Sequence, residues 1–251
     1  KSAALAQVAV GTYGSATAAY KSVVGIPVVG PALAPVAAGV AIAAGLASAK
    51  KIIATCYDTL EVCYEKYHDA EEYMNNIMIL GGQIMVGVDA TDLRQYEQLD
   101  SLKFDRIIFN FPHVGSGNKD TRVNIQENQT LIKNFLHQIS RFLKNEQSEI
   151  HLTIKRGEPY RSWKVVECIK VFKRYKFDTH PFYPNLFPSY RHRRTIGYST
   201  QISTDNNEDI SNHGGALTYR IRLNILKEED EKNKKKGQKG KKDKISKKNR
   251  Q

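Results

Sequence analysis

Phe104 to Gly117 reads FDRIIFNFPHVGSG. Ile107, Ile108 and Phe109 form a short apolar run, bounded by Asp105-Arg106 in front and by proline and glycine behind. That is the pattern of a strand buried on both faces, as strands of a parallel sheet are. The run ends on Asn110, Phe111, Pro112 and His113: an amide, a ring, a rigid turn former and an imidazole. An amide and carbonyls held rigidly by proline can grip the edge of a planar base, and a ring can stack on its face. His113 is placed to touch a substrate, or else satisfies a loop carbonyl.

The neighbouring segments carry the same alternation outward. KKIIATCYD, Lys50 to Asp58, is a short strand ending on an acid, and TLEVCYEKYHDAEEYMNNIMIL places Leu60, Tyr64 and Tyr67 at helical spacing. Ile84 to Val88 is expected as a strand ending at Asp89-Ala90-Thr91. Asn118 to Asn145 reads as a helix with a wide stripe of Val123, Ile125, Leu131, Ile132, Phe135, Leu136, Ile139 and Phe142. Glu149 to Lys155 reads as a strand, Arg161 to Tyr175 as a helix, and Leu217 to Leu226 as a final alternating strand. Strands separated by helical patterns imply an α/β, doubly wound, mostly parallel sheet.

In such a sheet ligands bind outside the carboxyl ends of the strands. Asp58, Asp89, Asn110 to His113 and Lys155-Arg156-Gly157-Glu158 all fall there. An acid after the second strand suits a nucleoside ribose, which makes Asp58 a cofactor-binding candidate, although Asp58 is also a good cap for a helix beginning at Thr59. Asp89 can receive an adenine amino group or cap Ala90 to Leu93.

Charge sets this chain apart. Its 251 residues are 41% hydrophobic and 25% charged, ordinary for a globular protein, but the net charge is +12 and the pI near 9.5. Such a balance is the footprint of a polyanionic partner such as nucleic acid. Lys227 to Gln251 contributes +7 of it, from twelve Lys/Arg and five Asp/Glu. Arg156, Tyr160, Tyr190, Arg191, His192, Arg193 and Arg194 form a basic and aromatic set suited to phosphate contact and base stacking, with Tyr190 to Arg194 expected at the surface. Trp163, the single tryptophan, reads as core. Cys56, Cys63 and Cys168 have neither metal-type spacing nor a disulfide pattern, which suits a reducing compartment.

Three zones follow from composition. Residues 1–47 are an atypical Ala/Gly/Pro-rich segment, 48–226 the α/β domain, and 227–251 a basic tail expected to be disordered. Val23 to Ala49 is uncharged and exceeds the roughly 20 residues that span a bilayer. Pro27, Pro31 and Pro35 and the interspersed glycines argue against a continuous spanning helix.

FDRIIFNFPHVGSG, the following KDTRVNIQENQTLIKNFL, GEPYRSW and FPSYRHRRT, with IIATCYDTLE and VGVDATDL, resemble in consistent order the Rossmann-like eukaryotic family of large-subunit ribosomal RNA uridine-N3 methyltransferases. The resemblance covers about Ser48 to Leu223. It implies a seven-stranded, doubly wound class I methyltransferase sheet, mostly parallel with an antiparallel last strand, S-adenosylmethionine as cofactor, one uridine of ribosomal RNA as substrate, a pre-ribosomal partner and a nuclear, nucleolar location. A monomer without metal is expected. Asn110, Phe111, Pro112, His113 and Lys155 then become the catalytic candidates, with His113 as general base or as the donor to a developing oxyanion and Lys155 as the alternative stabiliser.

One departure stands out. Members of the family resemble one another in a Gly-Glu-Gly-Asp-Phe-Ser-Phe type loop after the first strand. Here IPVVGPALAPVAAGVAIAAGLASA occupies that place. Ile26 to Val29 is the expected first strand and Gly30 the glycine of the turn, but no Asp or Glu precedes Asp58. The positive ammonium and sulfonium of the cofactor call for a carboxylate, so a catalytically degenerate, RNA-binding relative is the alternative reading, and a membrane-anchored protein a third.

Overall fold

Ile53 to Cys56 is buried at every position, and Arg106 to Asn110 and Glu149 to Lys155 at most of theirs. Burial that ignores the alternation of a strand requires cover on both faces, and helices on both sides of a parallel sheet provide it. The computed structural model describes residues 27–30, 51–118, 120–184, 192, 210 and 215–224.

The elements are β1 Pro27–Gly30, β2 Ile53–Cys56, α1 Leu60–Lys66, α2 Ala70–Ile79, β3 Gln83–Met85, the one-turn α3 Glu97–Asp100, β4 Arg106–Asn110, α4 Thr121–Ile139, β5 Glu149–Lys155, α5 Val165–Lys170, β6 Tyr175–Phe182 and β7 Ala216–Leu223. They form one seven-stranded sheet in the order β3-β2-β1-β4-β5-β7-β6. The β1–β2, β1–β4, β2–β3 and β4–β5 pairs are parallel, whereas β7 runs antiparallel to β5 and to β6. The strand order reverses between β1 and β4, which is where a doubly wound sheet opens a crevice.

Each face has its own core. Ile52, Ala54 and Cys56 pack against Cys63, Tyr67, Ala70, Met74 and Ile77 of α1 and α2. On the opposite face Ile107, Phe109, Ile150 and Leu152 pack against Ile132, Phe135, Leu136 and Ile139 of α4 and against Val165 and Ile169 of α5.

Several elements differ from the expectation. Of the stripe expected through Leu60, Tyr64 and Tyr67, Tyr67 is buried but Leu60 and Tyr64 are exposed, and Cys63 joins Tyr67 on the buried face. Thr59, not Asp58, caps α1. The strand expected at Ile84 to Val88 stops at Met85. The helix expected over Arg161 to Tyr175 is a 3-10 turn, Tyr160–Trp163, followed by the short α5. Lys164 between them is left-handed with φ 49°, which interrupts the helix. Tyr175 opens β6, a strand the sequence reading omitted. Its buried ring and the hydroxyl it donates to the Leu136 carbonyl at 2.7 Å tie it to the far side of α4. The first strand lies at Pro27–Gly30, one residue from its expected place, and Gly30 pairs with Cys56. Among the described residues no helix is long and apolar enough to cross a membrane.

Candidate active site

The parallel strands bring Gly30, Asp58 and Asn110 to the same rim, at or just beyond the ends of β1, β2 and β4. Asp89 follows β3 by four residues, and Lys155 closes β5. A cavity of about 520 Å³ opens beside this rim, between the segment after β3, the end of β4 and the first turns of α4. Tyr57, Asp89, Thr91, His113, Ser116 and Glu127 supply polar groups to it, and Val88, Ala90, Phe109, Val123 and Leu131 its apolar wall.

On the β3 side, Gly87 takes a positive φ of 66°, open to glycine, and its N–H donates to the Asp58 carbonyl at 3.0 Å. The Tyr96 hydroxyl accepts from the Asp89 N–H at 2.7 Å and donates to the Gly87 carbonyl at 2.8 Å, clamping the segment between them. Asp89 Oδ1 accepts from both the N–H and the hydroxyl of Thr91 at 2.7 Å. Asp89 thus closes a turn onto Thr91 and does not cap a helix, since the 3-10 turn that follows, Leu93–Gln95, has Asp92 at its N-cap; Asp89 Oδ2 is left without a partner among the described residues.

On the β4 side, Phe111 sits in the left-handed region at φ 51°, costly for a residue with a Cβ. Its N–H donates to the Thr153 carbonyl at 2.8 Å, and its ring meets His192 at 4.6 Å and Phe182 at 5.5 Å, both edge-on. That turn aims the chain into Pro112 and His113. The Gly115 N–H donates to His113 Nδ1 at 2.9 Å, and Gly115 itself needs φ 63° to reach back. Burial, then the nearby Lys155 charge, push the His113 pKa below the ordinary imidazole value, against the opposing pull of Glu127. A neutral ring whose Nδ1 accepts a hydrogen bond carries its proton on Nε2 and is a donor there.

The rest of the loop is pinned to α4. Asn128, fully buried, accepts the Val114 N–H at 3.1 Å and donates to the Asn124 carbonyl at 2.8 Å. The Ser116 hydroxyl donates to Glu127 at 2.6 Å. Sequence reasoning missed Tyr57, Tyr96, Glu127 and Asn128. Asn128 interrupts an apolar stripe, and that was the available signal.

Not every candidate reaches the cavity. The Asp58 carboxylate is paired with Lys66 at 3.1 Å, both side chains mostly buried, and does not line the cavity, whereas its neighbour Tyr57 does. Asn110 and Lys155 do not line the cavity either: Asn110 ends β4, and the Lys155 ammonium stands 5.7 Å over the Tyr160 ring. Tyr160 in turn meets Trp163 edge-on at 4.9 Å, and Trp163 lies 5.7 Å from the His113 ring. Trp163 is core as expected, 1% exposed. Arg156 is exposed. His192 corrects the reading of an all-surface cluster: it is 3% exposed, buried against Phe111. Tyr190, Arg191, Arg193 and Arg194 lie outside the described residues. Among the described residues no group of three or more His, Cys, Asp or Glu could hold a metal ion.

A 3-2-1-4-5-7-6 sheet with an antiparallel seventh strand, and a cavity at the ends of its parallel strands, define the Rossmann-like methyltransferase class. The family described as rRNA (uridine-N3-)-methyltransferase BTM5-like matches residues 38–194, more than half of the chain, and the chain belongs to that family. β1 and Gly30 precede the matched stretch. A 25S rRNA (uridine(2634)-N(3))-methyltransferase of Saccharomyces cerevisiae is 30% identical over 120 residues, 36% of this chain and 36% of that protein. The heavy metal-associated isoprenylated plant protein 41 of Arabidopsis thaliana is 31% identical over 151 residues, 60% of this chain and 29% of that protein. The similar stretch thus spans about a third of each of these relatives. Among solved structures, a methyltransferase homolog protein from Pyrococcus horikoshii superposes with a TM-score of 0.47 at 19% identity, covering 79% of this chain and 61% of that one.

Proposed function

We propose that this protein methylates N3 of a uridine in large-subunit ribosomal RNA with S-adenosylmethionine as donor, acting on pre-ribosomal RNA in the nucleolus. The observation that carries the reading is the cavity at the strand reversal, which gathers Asp89 and His113 beside the Asn110-Phe111-Pro112 turn. The name of the yeast relative supports the substrate assignment.

The residues present fit the cofactor. Asp89 keeps one carboxylate oxygen free to receive an adenine amino group, the walls around Ala90 and Phe109 are apolar, and among the described residues no lysine or arginine lines the cavity. When bound, S-adenosylmethionine supplies an electrophilic methyl group. The chain does the rest. N3 lies on the pairing edge of uracil, so the base must leave its helix to be reached. Asn110, whose side-chain amide has no partner among the described residues, is free to grip the base edge, and Phe111 and Pro112 hold that amide in place. His113 Nε2–H donates to a pyrimidine carbonyl, which gains charge as the N3 proton departs to solvent; the general-base role falls away because Nδ1 is already occupied. The Lys155 ammonium, close enough to act on the His113 ring, favours that charge as well. Holding base and methyl group in line contributes about 7–11 kcal/mol in well-oriented reactions.

The deciding experiment pairs calorimetric titration of S-adenosylmethionine with methylation of a ribosomal RNA transcript, read by mass spectrometry of the nucleosides. Saturable binding and 3-methyluridine are expected. RNA binding without any cofactor binding would instead establish the degenerate relative, which the lack of acids before Asp58 favours.

A further inference from the structure

Glu127 stands in α4 on the His113 side of the cavity. One of its oxygens accepts the Ser116 hydroxyl at 2.6 Å; the other has no partner, and no cation pairs with this carboxylate among the described residues. Its charge is felt at the His113 ring, so it lies close to the group proposed to face the reacting base. Two acids, Asp89 and Glu127, therefore line a cavity to which the described residues bring no lysine, no arginine and a neutral imidazole. The Ser116–Glu127 hydrogen bond is exposed, so solvent screens part of this field and the expected effect is modest.

We infer that Glu127 supplies the counter-charge for the cationic cofactor that the missing acidic glycine turn would otherwise provide, and that it makes the site prefer S-adenosylmethionine to its neutral demethylated product. This rests on the methyltransferase reading above. The positive charge on sulfur is present before transfer and absent after it. As the methyl group moves to N3, the carbon–sulfur bond breaks with its electron pair staying on sulfur, the N3–carbon bond forms, and the N3 proton leaves. A carboxylate beside the sulfonium thus favours the bound reactant over the transition state and over the product. It contributes affinity for the reactant and leaves that for the product unchanged, without raising the rate of the chemical step.

Glu127→Gln tests this on the full chain, because glutamine still accepts the Ser116 hydroxyl while removing the charge. Calorimetry with S-adenosylmethionine and with S-adenosylhomocysteine is expected to show the first weakened about 5- to 10-fold and the second changed by less than about 2-fold. The KM for the cofactor should rise with kcat undiminished. Glu127→Asp, which keeps the charge, should retain most of the preference for the cation, and it carries the test if the glutamine variant does not fold. Equal loss for both ligands, or no loss for the cation, would overturn the role of Glu127 while leaving the methyltransferase reading intact. A wild-type chain that binds neither ligand would remove both.

Discussion

At the residue scale, His113 shows how one backbone amide selects a chemistry. With Nδ1 taken by the Gly115 N–H, the ring presents a donor. His113→Ala should lower methyl transfer about tenfold or more while cofactor affinity holds, measured by single-turnover methylation and calorimetry. The depressed pKa adds a signature in stability. As pH falls below about 6.5, the unfolded chain takes up the imidazole proton before the folded one does, so stability declines with acidification. Urea unfolding between pH 7 and 5 should show a steeper loss for the wild type than for His113→Gln. Tyr96→Phe removes both hydrogen bonds of the clamp across Gly87 and Asp89, and a cofactor affinity reduced about fivefold is expected by titration. The Asn-Phe-Pro-His turn was legible because its residue types are out of place at the end of a buried strand. Asp58 was legible as an acid at a strand end, but not its neutralisation by Lys66, which depends on how α1 folds back. Glu127 was silent, since one acid on a helix reads as a solvated face until the cavity beside it is known.

At the scale of elements, α4 serves both the core and the site. Its apolar stripe covers the sheet through Ile132, Phe135, Leu136 and Ile139, while its first turns wall the cavity and anchor the loop that carries His113. Asn128→Ala would leave the Val114 N–H without its acceptor, at a cost of about 1–3 kcal/mol in urea unfolding, and faster amide exchange at Val114 and Gly115 should accompany it. β4 and β5 were readable from sequence because continuous burial writes itself as an apolar run. β6 was not. YKFDTHPF carries its stabilising interactions elsewhere: Asp178 accepts from Arg220 at 2.8 and 3.0 Å and from Arg222 at 2.6 Å, across the antiparallel pair with β7. Such cross-strand charge pairing has no local signature. The break at Lys164 is likewise decided by packing of Trp163 against the core, not by a breaker residue.

At the scale of the molecule, charge and function divide the chain unevenly. The cavity is acidic, whereas Lys227 to Gln251 alone carries +7 of the net +12. Removing residues 227–251 should therefore leave cofactor titrations unchanged and weaken RNA binding. The slope of log affinity against log salt should flatten by about 0.7–0.9 for each phosphate that the tail no longer neutralises, read by fluorescence anisotropy on a ribosomal RNA fragment.

β1 matters most for its position. Its four residues join the β2–β3 pair to the β4–β7 group within the sheet, and the core that Ile107 and Phe109 share with α4 also takes in Ile53, Val88 and Leu93 from the β2–β3 side. The two groups of strands are thus tied by that shared core as well as by β1, whose end lies on the rim beside the cavity. Because one core spans both groups, neither can part without unpacking the other, so catalytic competence and helical signal should be lost together over a single urea transition.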